Sequence, residues 1–329
     1  MIESPSARQF SAEMLALDVP LDRQPAVTID EGLAAAYLAI SGDQLPLAMS
    51  TPLSRAVTAR DERLANPALA LSVAIGQSTV GTRRVIANLY YRDLTLLRQV
   101  HVGETLTTTV TPIAAEFTSS GTSRAKVLLD IDVHSDAGPV AHFQRLALLP
   151  VDDASRMVLR DIPAAAAEPT LASFAAVAPA WSAAAGIPRF ALPVGFTVTD
   201  PLCDTVSSAR ELVRLTLNLA AAHRDERRGV DGRRLAYGGH TVALAQASLS
   251  RVIPGLLTVV AWRSCDHVGP VFDDDLLETT TIIEGVHGLD AGLALVDARV
   301  SVDAVRGDEN VRVLEWRPVL VVAGGEEKA

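Results

Sequence analysis

Residues 218–253, NLAAAHRDERRGVDGRRLAYGGHTVALAQASLSRVI, carry the reading of this chain. They run from Asn218 through a polar, arginine-rich segment into Tyr237-Gly238-Gly239-His240. From there an Ala/Leu-rich helix is expected over 238–253, stopped by Pro254-Gly255. Just upstream, Ser208-Ala-Arg-Glu211 has the form of a capping box, the cap hydroxyl taking a free amide of the first turn while Glu211 reaches back. It opens a helix through LVRLTLNLAAA. Strand-like runs follow over 256–268 and 272–284, then a hairpin over 293–322 that turns at Arg306-Gly-Asp308.

The same order of elements occurs earlier. Thr28-Ile29-Asp30-Glu31 is a second capping box before a helix to Ile40, and the polar segment SGDQLPLAMSTPLSR (41–55) leads to a short helix over 66–76. Runs over 84–97 and 101–113 precede a hairpin over 124–149 turning at Asp136-Ala-Gly138. At a spacing of 171 residues Leu106 falls on Leu277 and Thr108–Val110 on Thr279–Thr281. The period is too long for a solenoid, so this is one unit written twice. The expectation is an α+β chain with a first unit at 1–150, an Ala/Pro-rich linker at 151–193 holding a short helix near Leu171–Val177, and a second unit at 194–329.

Composition narrows the function. Of 329 residues 49% are hydrophobic, enough to fill two cores, whereas only 4% are aromatic. With Lys+Arg 29 against Asp+Glu 39, the formal charge of −10 opposes a protein that tracks a nucleic-acid backbone, and the scarcity of aromatics opposes base stacking. The N-terminal MIESPSARQFSAEM lacks a basic stretch followed by an apolar one, and prolines interrupt the Ala-rich run from Leu171 to Val194. A cytoplasmic protein without nucleic-acid or membrane partners is expected. Cys203 and Cys265 are too few for a disulfide framework or a four-thiolate metal site. His223, Asp225, His240, Asp266 and His267 are metal-ligand types without metal-site spacing, so no metal is expected. Glycine-rich nucleotide loops and a GxSxG elbow are absent, so no cofactor is expected either.

The chemistry gathers around the opening segment. His223 titrates near neutrality and suits a general acid or base. Gly238 and Gly239 at a helix start leave free amides where a ligand approaches closely, as an oxyanion forming on a thioester carbonyl requires. The arginines at 224, 227, 228, 233 and 234 suit phosphates, although Asp225, Glu226 and Asp231 interleave with them as in a solvated ion-paired loop. His101, His134, His142 and His287 lack such context, and Asp43 reads as a helix cap.

Asn218…His223-x-Asp225 followed by RRLAYGGH (233–240) resembles the MaoC-like acyl-CoA dehydratases and (R)-specific enoyl-CoA hydratases, nearest the mesaconyl-CoA hydratase (β-methylmalyl-CoA dehydratase) branch. The resemblance spans both halves and implies a double hotdog, each half a long helix wrapped by an antiparallel sheet. It implies addition or loss of water across the Cα–Cβ bond of an acyl-CoA thioester, on a short branched or dicarboxylic acyl group. An acyl-carrier protein is the alternative carrier, and a pseudo-dimeric monomer or a homodimer the expected assembly.

The family motif G-D-x-N-P-x-H places Asp and His five positions apart. Here Asn218 stands in the Asp position before His223, while Gly42-Asp43 is kept in the first half with Ala48 in the His position. The resemblance therefore implies one working site. His223, Asn218 and Asp225 would be its catalytic residues, and Tyr237, Gly238, Gly239, His240, Arg233 and Arg234 would bind substrate. A silent acyl-CoA-binding protein and a thioesterase are the alternatives.

Overall fold

The computed structural model describes residues 10–182, 187–189 and 191–324. The first half contains β1 (Val27–Thr28), α1 (Glu31–Ser41), α2 (Pro46–Met49), α3 (Thr51–Thr58), α4 (Pro67–Gln77) and four long strands. These are β2 (Ala87–Leu96), β3 (Thr105–Thr118), β4 (Gly121–Ser135) and β5 (Gly138–Pro150). The second half contains β6 (Thr197–Thr199), β7 (Asp204–Thr205), α5 (Ala209–Leu215), α6 (Gly238–Val252), β8 (Leu256–His267), β9 (Leu276–Gly288), β10 (Leu293–Arg306) and β11 (Glu309–Ala323). From the start of α4 and α6 to the final strand of each half, corresponding residues keep the 171-residue spacing.

The two sheets are one. Eleven strands run β1-β3-β4-β5-β2-β8-β11-β10-β9-β6, with β7 beside β9, and every pairing is antiparallel. The halves join where β2 pairs β8, Tyr91 opposite Cys265 and Leu94 opposite Trp262. The seam turns two half-sheets into a continuous surface and removes two exposed edges. Helices α4 and α6 lie side by side against it. All of α4 is buried, as is α6 from Gly239 to Leu249, which explains why both read as Ala/Leu-rich with little polar face. Phe143, Leu69, Leu94, Leu106, Val300 and Trp316 are among the inward side chains of this core. Full burial of an aliphatic or Phe side chain is worth about 1.5–3 kcal/mol.

Two local readings need correction. The cap of α1 is Asp30, whose carboxylate accepts from the Leu33 amide at 2.7 Å, while Thr28 is extended and pairs Thr105 in the sheet. Ser208 precedes α5 with φ 56° and makes no side-chain cap. That helix ends at Leu215, because Leu217 turns left-handed at φ 55°, and only a 3₁₀ turn, Ala221–His223, follows. The linker is not a free tether. A 3₁₀ stretch, Leu171–Ala176, crosses the outer face, where Phe174, Trp181 and Ile187 pack on Leu257, Val260, Leu293 and Val319. The remaining linker positions 183–186 and 190, and the chain ends 1–9 and 325–329, lie outside the described residues.

Candidate active site

A cavity of about 380 Å³ opens at the seam between the halves. Asn218, His223, Tyr237, Gly238 and His267 line it from the second half, and Ile75, Thr79, Asn88, Tyr91 and Arg145 from the first. The turn made by left-handed Leu217 aims Asn218 inward. Its Oδ1 accepts from the Ala220 amide at 2.9 Å, while Nδ2 is buried without a partner among the described residues. Thr216, just before it, is held by two contacts: its hydroxyl donates to the Leu212 carbonyl at 2.8 Å, and α4 lies directly behind it at Gly76. A Cβ at Gly76 would stand 1.9 Å from the Thr216 carbonyl oxygen, so only glycine admits that approach.

His223 ends the 3₁₀ turn with Nδ1 3.1 Å from the Leu235 carbonyl. A carbonyl only accepts, so Nδ1 carries the proton and Nε2 holds the free lone pair. Burial lowers the His223 pKa to about 4, the carbonyl bond acting against that and the charges of Arg145 and Arg224 with it. The imidazole is therefore neutral at pH 7, the form a general base needs. Its ring tilts against Tyr237 at 5.7 Å between centroids, and the Tyr237 hydroxyl donates to the Ser72 carbonyl on α4 at 3.1 Å.

Gly238 opens α6, and the first-turn amides of a helix have no acceptor within it. Its missing side chain makes room for His267: a Cβ there would lie 2.6 Å from the ring's Cε1. Burial, with help from His223 and Arg145, lowers the His267 pKa to about 4, and Nε2 has no partner among the described residues. The strands thus add Tyr91, Asn88 and Arg145 to the cavity, which the sequence had not singled out, and His267, which it had weighed as a metal-ligand type. A signal for one of them was present: Arg145 falls in phase with Phe143, Ala147 and Leu149, a charge among the inward positions of a strand.

Several expected residues stand elsewhere. Asp225 is outside the cavity lining, its carboxylate accepting from the Arg227 side chain and amide. Arg233 lies 3.9 Å over the Phe272 ring and Arg234 pairs with Asp273; neither lines the cavity. Gly239 faces the Tyr237 ring instead, 2.6 Å from where its Cβ would be. His240 is fully buried off the cavity, both ring nitrogens unpartnered among the described residues, with burial lowering its pKa to about 4 despite nearby Asp273. Nor do the five metal-ligand candidates converge. Among the described residues one cluster has donor atoms close enough for a metal, Asp130, Asp132 and His142 on the strand surface, and hydrogen bonding already accounts for the His142–Asp132 contact at 3.0 Å.

A solved double-hotdog structure from Mycobacterium tuberculosis, of a conserved protein described as essential for bacterial survival during infection, is 36% identical, covers 94% of this chain and 98% of its own, and superposes with a TM-score of 0.77. The chain belongs to the double-hotdog family of that structure. In that family the long helix is wrapped by its sheet, and here α4 and α6 take that place. A putative MaoC domain protein dehydratase from Chloroflexus aurantiacus shares the fold at a TM-score of 0.88 and 18% identity, over 97% of this chain and 99% of its own. The β-methylmalyl-CoA dehydratase of Chloroflexus aurantiacus is 25% identical over 264 residues, 76% of this double hotdog and 75% of the relative. No protein-family model matches the chain.

Proposed function

We propose that this protein is a hydro-lyase that adds or removes water across the Cα–Cβ bond of an acyl-CoA thioester. One observation carries the reading: a base fixed in its neutral tautomer, His223, shares a single cavity with an amide-presenting helix start, Gly238, and with Nδ2 of Asn218, unpartnered among the described residues. In hydration the thioester oxygen lies against the Gly238 amide, which stabilises negative charge as it develops. Water donates to His223 Nε2 and accepts from Asn218 Nδ2. Hydroxide adds to Cβ as His223 takes the proton, and the imidazolium then returns that proton to Cα on the same face. One histidine thus acts as base and then acid, and Asn218, which has no basic form, only orients the water. The name of the β-methylmalyl-CoA dehydratase relative supports the reaction class.

Asn218 also favours a rival, a silent acyl-CoA-binding protein. The test incubates the purified protein with short linear and branched enoyl-CoA esters, following loss of enoyl absorbance and appearance of free thiol. Loss of absorbance without thiol is expected. Thiol release would mean a thioesterase, and tight binding with neither signal would mean the silent protein.

A further inference from the structure

Arg145 is 3% exposed, lines the cavity, and has no carboxylate partner among the described residues. Its Nε donates to Asn88 Oδ1 at 2.6 Å and its Nη1 to Ser78 Oγ at 3.1 Å, both neutral acceptors. These bonds fix the guanidinium plane and leave Nη2 without a partner among the described residues. Burying a positive charge is costly unless an anion meets it. Elsewhere this chain meets that demand: Arg251 is held by Asp200 and Asp204, and Arg263 by Asp297. The field of Arg145 reaches both cavity histidines, opposing protonation of His223 and His267. The corresponding position in the other half, 171 residues on, is Trp316, fully buried and stacked edge-on with Trp262 at 5.6 Å. A guanidinium at this place is therefore no requirement of the fold.

We propose that Arg145 is a specificity-determining residue whose free edge receives a carboxylate carried on the acyl group, so that the enzyme selects monothioesters of dicarboxylic acids. This rests on the reading of the cavity as an acyl-thioester site. A planar guanidinium held by two neutral acceptors matches a carboxylate better than a lysine would. Its depth inside the seam suits the acyl end of the ligand, and the phosphates of CoA are left to the exposed arginines outside.

Calorimetric titration with succinyl-CoA and butyryl-CoA, equal in chain length and both saturated, tests the charge without requiring turnover. The wild type should bind succinyl-CoA roughly 10- to 100-fold more tightly. Arg145→Gln should abolish the difference by weakening succinyl-CoA alone, and Arg145→Lys should keep part of it. Equal affinity of the two esters for the wild type overturns the proposal without needing any variant. So does an Arg145→Gln protein with native circular dichroism that weakens both esters equally. Discrimination without hydration of any enoyl ester would remove the hydro-lyase reading and leave Arg145 its role. If neither ester binds, both fall.

Discussion

The two halves build the same turn and put opposite chemistry on it. In the first, Gly42 at φ 63° aims Asp43 inward, and the Leu45 amide donates to its Oδ1 at 3.0 Å. In the second, Leu217 at φ 55° aims Asn218, and the Ala220 amide donates to its Oδ1 at 2.9 Å. Beyond that the surroundings part. Asp43 is saturated by Asn66 Nδ2 at 2.6 Å, Gln246 Nε2 at 2.7 Å and Ser250 Oγ at 2.5 Å, the last two on α6 of the other half. The residues in the matching places around Asn218 are Tyr237, Ile75 and Thr79. Where the second half has His223 and Gly238, the first has Ala48 and Pro67, so it lacks both a base and an N–H at the helix start. Leu96 and Trp316 replace His267 and Arg145. The kept aspartate has become a clasp between halves, and the lost one has left an open site.

That contrast can be broken from either side. Gly238→Ala should cost most, about 10²-fold or more in kcat/KM, because the new Cβ drives into the His267 ring and moves the amide that faces the thioester. Steady-state hydration kinetics would show it, and adding His267→Ala, which clears the space, should return part of the loss if the amide is the working group. Asp43→Asn should instead act on stability. Its new NH₂ would face the donating amide of Asn66 or Gln246, for a cost of about 1–3 kcal/mol in urea unfolding with kcat within a few-fold of wild type. A larger loss of kcat than of stability would return a catalytic role to the first half. The mirror change, Asn218→Asp, should leave the fold intact by circular dichroism and alter the rate by no more than about tenfold, since His223 supplies the proton transfers in both proteins. A rate rise beyond that would show that an Asp–His pair is still poised there.

A fourth, smaller effect concerns acid. His223, His240 and His267 all titrate near 4 in the folded chain, against about 6.5 when unfolded. Between those values the unfolded chain binds more protons, so this stabilisation is complete above about pH 6.5 and is lost as pH falls towards 4. Urea midpoints should drop between pH 7 and pH 5, while kcat/KM should keep its acid limb near pH 4. An acid limb near pH 6.5 would place the working base in water.

The duplication was legible because strand alternation and hairpin turns repeat at one spacing, and the sheet seals that spacing from α4 onward. The starts of α4 and α6 were legible too, but the two capping boxes did not cap α1 and α5. Thr28 is taken by the sheet, and Ser208 is turned left-handed. The sequence drew attention to Asn218, His223 and Gly238 because they adjoin in one segment. Asp225, Arg233, Arg234 and His240 share that segment, but the loop's own ion pairs, the Phe272 ring and the inner side of α6 take them out of the cavity. Arg145 and His267 come from separate strands, and only the β2–β8 seam brings them together.

The most direct test of a single working site, built on the second half, is the rate of enoyl-CoA hydration by His223→Ala. The account predicts a loss of about 10²- to 10⁴-fold at unchanged fold, with affinity for the saturated CoA ester retained. Hydration at the wild-type rate would contradict it.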